Sequence, residues 1–214
     1  MPKQSEKSPN ARMGEVISRL KQTYPDAGIA LNFSTPLELL VATILAAQCT
    51  DQRVNQVTNA LFQKYKNPDD YVAVPQEELE EDIHSTGFFR NKSMNIKKCC
   101  EALIDRHNGK VPNTMEALVT LGGVGRKTAN VVLGNAFGVP GIAVDTHVKR
   151  LSGLLGLTAT EDPEKIETDL MAIVATADWT VLSHLFAHHG RAVCVARRPK
   201  CTECVLSDLC PSFQ

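Results

Sequence analysis

Four of the seven cysteines, Cys194, Cys201, Cys204 and Cys210, fall within 17 residues near the C-terminus in the spacing C-x6-C-x2-C-x5-C. Four thiolates can hold a zinc ion or an iron–sulfur cluster. Zinc ribbons prefer two close pairs, and only Cys201 and Cys204 are close here, so the spacing leans toward iron–sulfur and leaves zinc open. Residues 188–200 bring Arg191, Arg197, Arg198 and Lys200 and no acid, which suits an anionic cluster. A second candidate is Leu121-Gly122-Gly123-Val124-Gly125-Arg126-Lys127-Thr128-Ala129-Asn130-Val131-Val132-Leu133. It reads as the glycine hairpin and second helix of a helix-hairpin-helix spanning about 115–134. Glycines let the backbone approach a ligand closely, and a helix start presents unpaired N–H groups and a positive dipole end to an anion such as a DNA phosphate. Lys127, in the first turn of that helix, sits where the positive dipole end and the adjacent Arg126 both disfavour a cation. A third candidate is Val144-Asp145-Thr146-His147, in which Asp145 reads as the N-cap of a following helix.

These side chains must be carried by helices. Apolar residues recur at helical spacing at Val16, Ile17 and Leu20, at Val54, Val57, Leu61 and Phe62, and at Ile166, Leu170, Ile173 and Val174. Thr35-Pro36-Leu37-Glu38 predicts a capping box opening a helix to about Ala47. Pro75 opens an acidic helix that Gly87 stops, and residues 90–107 form another that ends at Asn108-Gly109. Asp162-Pro163 starts one more. No run alternates at period two, although Gly141 to Val144 suits a short extended piece. The fold class is therefore all-α. Cys49, Cys99 and Cys100 lie in helical sequence and read as small core residues, and Trp179, His184, His188 and His189 as packing and surface residues.

The chain has 214 residues, enough for one domain or two modest ones. With 43% hydrophobic and 22% charged residues and a mean hydropathy of -0.14, it is globular rather than disordered. The longest apolar stretch, Leu37 to Ala47, is shorter than the about 20 residues a bilayer demands. The start, MPKQSEKSPNA, has no apolar h-region and reads as a polar tail over 1–11, so a cytoplasmic location is expected. A disulfide framework is out of place in such a chain, which again favours a metal centre. The formal charge of -1 conceals a segregation. Residues 68–82 hold seven acids and no base, and residues 161–178 hold six acids and one lysine. The remainder carries 22 Lys and Arg (23 less that one) against 11 acids (24 less 13), a surplus suited to a phosphate backbone if it gathers on one face.

Taken jointly, LGGVGRKTANVVL (121–133), IAVDTH (142–147), the cysteine block 194–210 and, more weakly, LAAQCTD (45–51) make the chain resemble the endonuclease III family of bifunctional DNA glycosylases and abasic-site lyases. The resemblance covers nearly everything beyond the N-terminal tail. It implies two helical domains with DNA in the cleft between them: a six-helix barrel over about 29–139 bearing the hairpin, and a cluster domain built from 12–28 plus 140–214, with the cluster loop at 194–210. The implied cofactor is a [4Fe-4S] cluster held by the four cysteines. The implied partner is double-stranded DNA carrying oxidised or ring-saturated pyrimidines or abasic sites, met by a monomer with no membrane role.

The same resemblance assigns roles to residues. Lys127 becomes the nucleophile that attacks the sugar C1′, displaces the base and forms a Schiff base, with β-elimination cutting 3′ to the lesion. Asp145 becomes the carboxylate that stabilises charge on the sugar and helps deprotonate the amine. Gln48 and Phe88 enter the gap left by a flipped nucleotide. Gly123, Val124, Gly125 and Arg126 hold phosphate, His147 assists nearby, and Arg191, Arg197, Arg198 and Lys200 of the cluster loop touch the backbone. One departure is Gly122, where the family usually has Pro, and a less rigid hairpin is the expected consequence. Three other readings compete: a monofunctional adenine-mismatch glycosylase, which lacks the lysine; a non-catalytic helix-hairpin-helix module, which needs no Asp145; and a small iron–sulfur electron carrier, in which the long helical body has no role.

Overall fold

The computed structural model describes residues 9–213, with side chains from residue 12. Of the expected tail over 1–11, residues 1–8 lie outside the described residues. The helices are, in chain order, α1 (Pro9–Thr23), α2 (Pro36–Leu45), α3 (Asp51–Lys64), α4 (Pro68–Ala73), α5 (Gln76–Ile83), α6 (Phe89–His107), α7 (Met115–Leu118), α8 (Arg126–Ala136), α9 (Thr146–Leu154), α10 (Pro163–Ile173) and α11 (Trp179–Ala192). Single 3-10 turns stand at His84–Thr86, Thr176–Asp178 and Cys201–Glu203. There is no strand among the described residues. The segment Gly141 to Val144, expected to be extended, is irregular coil leading into α9.

Local chemistry accounts for most boundaries. Thr35 caps α2 by accepting from Glu38 N–H at 3.2 Å. The Glu38 carboxylate reaches back to Ser34 N–H at 2.6 Å, one residue earlier than a capping box would place it. Pro36 at the first helical position needs no partner for its missing N–H. In α4 the box is complete, since Asn67 accepts from Asp70 N–H and the Asp70 side chain accepts from Asn67 N–H. Asn108 (φ 52°) and Gly109 (φ 73°) turn the chain out of α6 in the left-handed region.

The chain divides into two compact units. Among the described residues, unit 1 comprises those up to 28 and from 140 onward, and unit 2 residues 29–139. Unit 2 packs α2 to α8 around Leu39, Leu40, Leu45, Tyr71, Leu79, Ile83, Ile96 and Leu103, all essentially inaccessible. Cys99 and Cys100 belong to this core, and burial pushes the Cys99 thiol up to about 12. Unit 1 packs α1 and α9 to α11 around Met13, Val16, Leu20, Leu151, Leu170, Leu185 and Phe186.

Candidate active site and cluster pocket

In unit 2 the glycine hairpin is built on a single helical turn, α7, followed by the loop 119–125 and α8. Leu121 and Val124 are buried and anchor the loop in the core. Gly123 adopts φ 73°, the left-handed region that glycine enters without cost. Gly122 is needed for a different reason. A Cβ there would stand 2.9 Å from Lys98 Cβ and 3.0 Å from the Asn95 carbonyl oxygen, so the hairpin lies against α6 closer than any side chain allows. At the position where the family usually has Pro, this chain therefore sets bare backbone directly against α6.

The hairpin ends in Gly125, which caps α8 with no side-chain hydrogen bond. Among the described residues, the N–H groups of Gly123, Gly125 and Lys127 have no acceptor, and all three residues are exposed. The Val124 N–H differs, because Leu121 O accepts it at 3.2 Å. Val124 closes the turn through that bond and packs its side chain into the core. Arg126 and Lys127 are both exposed in the first turn of α8.

Two further sequence candidates in unit 2 share an unusual backbone. Gln48 has φ 53° and Phe88 has φ 48°; among the described residues only Asn108 joins them as a non-glycine at positive φ. A residue with a Cβ pays about 1–2 kcal/mol for the left-handed region. Asn108 has a capping reason to be there. Gln48 has none, and Phe88, at the N-cap of α6, makes no side-chain capping bond; both project into solvent, Phe88 with 61% of its surface exposed. An exposed phenylalanine on strained backbone has no role in the core.

In unit 1, Asp145 is the N-cap of α9: its Oδ1 accepts from His147 N–H at 2.9 Å and from Val148 N–H at 2.8 Å. Asp145 and His147 are half-buried. Arg150, one turn further along α9, was not singled out by the sequence. Its Nη2 donates to Gly190 O at 3.1 Å and Cys194 O at 2.7 Å and lies 3.2 Å from His147 Nδ1. The guanidinium thus ties the helix capped by Asp145 to the start of the cysteine loop. Arg191, Arg197, Arg198 and Lys200 are exposed.

The four cysteines line one cavity, together with Leu154, Val193, Pro199, Lys200, Ser207 and Phe213. All four are free and half-buried. Burial pushes the Cys194, Cys204 and Cys210 thiols up, and three contacts oppose it: the Arg150 charge at Cys194, Leu206 N–H donating to Cys204 Sγ at 3.4 Å, and the Ser212 backbone donating to Cys210. His189, with 1% exposure, contributes Nε2 at 3.4 Å from Cys204 Sγ, while its Nδ1 lies 3.1 Å from Tyr24 OH. Burial lowers the His189 pKa to about 4, so the ring is neutral. Four cysteine thiolates around one cavity are the donor set that a [4Fe-4S] cluster takes. Half-buried sulfurs, N–H donors and an adjacent arginine supply the environment an anionic cluster requires.

Comparison with known proteins agrees with this chemistry. Residues 41–176 match the family described as HhH-GPD superfamily base excision DNA repair protein, and residues 194–210 match the iron-sulfur binding domain of endonuclease III. The chain is 54% identical to the endonuclease III of Synechocystis sp. over 97% of its own length and 95% of that protein's. It is 50% identical to that of Bacillus subtilis, over 92% and 91% respectively. It superposes on the structure of a trapped endonuclease III–DNA covalent intermediate with a TM-score of 0.91 and 47% identity, covering 95% of this chain and 96% of that one.

Proposed function

The chain belongs to the HhH-GPD superfamily and, within it, to the endonuclease III family, and from that premise we propose which of its residues carry the reaction. It is a base excision repair DNA glycosylase with abasic-site lyase activity, it acts on DNA, and it carries a [4Fe-4S] cluster. The observation that supports the assignment best is the placement of Lys127: an exposed primary amine in the first turn of α8, beside a hairpin whose free N–H groups suit a DNA phosphate.

In the proposed reaction the Lys127 Nζ lone pair attacks C1′ of an extruded nucleotide, the C1′–N bond breaks, and the base leaves with a proton. The sugar ring opens to an imine on Nζ. Loss of a proton from C2′ then expels the 3′ phosphate by breaking the C3′–O bond. Asp145 serves two purposes. As the N-cap of α9 its carboxylate is held by two N–H donors, and the same carboxylate accepts the amine proton and faces the positive charge that develops on the sugar. Gln48 and Phe88 fill the gap in the stack. Gly123, Val124, Gly125 and Arg126 hold the strand at the hairpin. His147, Arg191, Arg197, Arg198 and Lys200 bind the backbone on unit 1. The cluster, held by Cys194, Cys201, Cys204 and Cys210, neutralises and shapes the loop that carries those cations; it takes no part in the bond changes.

Oxidised or ring-saturated pyrimidines such as thymine glycol are the proposed bases, with abasic sites as further substrates, and the enzyme works as a monomer in the cytoplasm on nucleoid DNA. No helix among the described residues is long and apolar enough to cross a membrane. The test is incubation with duplexes carrying thymine glycol, an abasic site or no damage, with and without borohydride. Base release and a trapped adduct on the first, nicking and an adduct on the second and neither on the third are expected. Base release without an adduct would instead indicate a monofunctional glycosylase.

A further inference from the structure

Lys92 is an anomaly of unit 2. It lies on α6 with only 4% of its surface exposed, and burial lowers its pKa. Its Nζ donates to Leu45 O at 2.9 Å and to Thr86 O at 2.8 Å, two acceptors from distant segments. Leu45 is the last residue of α2 and Thr86 the last of the 3-10 turn that follows α5. A cation at two helix ends pairs with carbonyls that have no partner within the helix and with the negative dipole end. Stability alone does not explain the choice, because a well-packed apolar side chain of like volume is often as stabilising as a buried charge.

The two segments joined by this ammonium carry the two strained residues. Gln48 follows Leu45 by three residues, and Phe88 follows Thr86 by two. The Lys92 N–H also donates to Phe88 O at 3.0 Å, so the same residue holds the Phe88 segment by backbone and by side chain. Positive φ at a residue with a Cβ persists only where the surroundings over-determine it. A cross-link at the root of both loops supplies that constraint.

We propose that Lys92 is a positioning residue that clamps the Gln48 and Phe88 loops together, so that both side chains enter the DNA stack in register when a nucleotide is extruded. The inference rests on the reading of Gln48 and Phe88 as inserting residues. Lys92 touches neither the DNA nor the reacting atoms. It sets the separation of two loops that would otherwise sample independent conformations, and each would then have to be ordered at the moment of binding.

The test compares Lys92→Met with wild type, cluster absorbance and thermal midpoint being recorded for both. Two substrates are used: a thymine glycol duplex bearing 2-aminopurine next to the lesion, whose fluorescence reports unstacking, and a single-stranded abasic oligonucleotide, which has no stack to fill. Expected is a loss of about 10- to 100-fold in glycosylase turnover on the duplex with a reduced fluorescence change, the size of effect that a misplacement of about 1 Å produces. Trapping on the single strand should stay within about twofold of wild type. Lys92→Gln keeps a donor for one carbonyl and should give an intermediate loss; it carries the reading where Lys92→Met does not fold. Gln48→Ala and Phe88→Ala accompany them. If those two lower the fluorescence change and the Lys92 variants do not, the clamp is wrong and the inserting residues stand. Equal loss on duplex and single strand also overturns the clamp, since it marks a merely structural lysine. If Gln48→Ala and Phe88→Ala leave the fluorescence unchanged, the inserting reading falls and the clamp falls with it.

Discussion

Asp145 is asked to cap a helix and to serve chemistry, and substitution separates the two. Asparagine caps as well as aspartate, so Asp145→Asn should keep the thermal midpoint while turnover falls about 100- to 10,000-fold. Asp145→Ala should lose about 1 kcal/mol of stability in addition, measured by denaturant unfolding. Phe88 offers the opposite separation. Phe88→Gly relieves the left-handed backbone and should raise stability by about 1 kcal/mol while it lowers extrusion of thymine glycol, a trade expected where strain serves function. The thiols divide in the same way: burial pushes Cys99 and Cys100 upward, so alkylation of the native, cluster-loaded protein should label half-buried Cys49 and spare both. Residue types reveal Lys127, Asp145 and the cysteines because their chemistry is rare at that spacing. They do not reveal Lys92 or Arg150, since a cation in a helix reads as a solvated face until the distant carbonyls that pair with it, Leu45 O and Cys194 O, are visible.

Among the elements, α6 organises unit 2. Phe88 stands at its start, Lys92 in its second turn, and Asn95, Lys98 and Cys99 receive the hairpin. Gly122→Pro, which would restore the residue usual in the family, should therefore destabilise by about 1–3 kcal/mol and weaken DNA binding, because the ring has no space against α6. Helix starts are legible wherever a cap and a proline coincide, as at Thr35-Pro36 and Asp162-Pro163. Ends are less so: α2 stops at Leu45 rather than Ala47, since the following turn must deliver Gln48 at positive φ. The short helix α4 was not anticipated although its Asn67–Asp70 capping box stands in the sequence, because six residues hold too few turns to show a period. The left-handed backbone at Gln48 and Phe88 leaves no trace in composition, for both residue types normally avoid it.

For the whole molecule, the segregation of charge acquires a physical meaning within each unit. Much of the acid in 68–82 is committed locally: Asp70 accepts from Lys66 N–H, and Lys64 pairs with both Glu78 and Asp82. Arg197, Arg198 and Lys200 of the cysteine loop are exposed to solvent. DNA affinity should therefore fall steeply with salt, and Arg197→Ala, Arg198→Ala and Lys200→Ala should each lower the slope of log K against log salt by about 1. Removal of the cluster should unfold the loop 194–210 and abolish that salt-dependent increment, observed as loss of visible absorbance together with weaker DNA binding. The all-helical class and the succession of motifs follow from apolar period and residue spacing, whereas the cross-ties of Lys92 and Arg150 that hold the site segments in place appear only in three dimensions.

The chemistry turns on one amine. Reaction with an abasic duplex in the presence of borohydride, digestion and mass spectrometry should place the reduced deoxyribose adduct on the peptide bearing Lys127, and Lys127→Gln should yield no adduct while retaining its fold and cluster absorbance. An adduct mapped to another lysine, or an undiminished yield from Lys127→Gln, would contradict it.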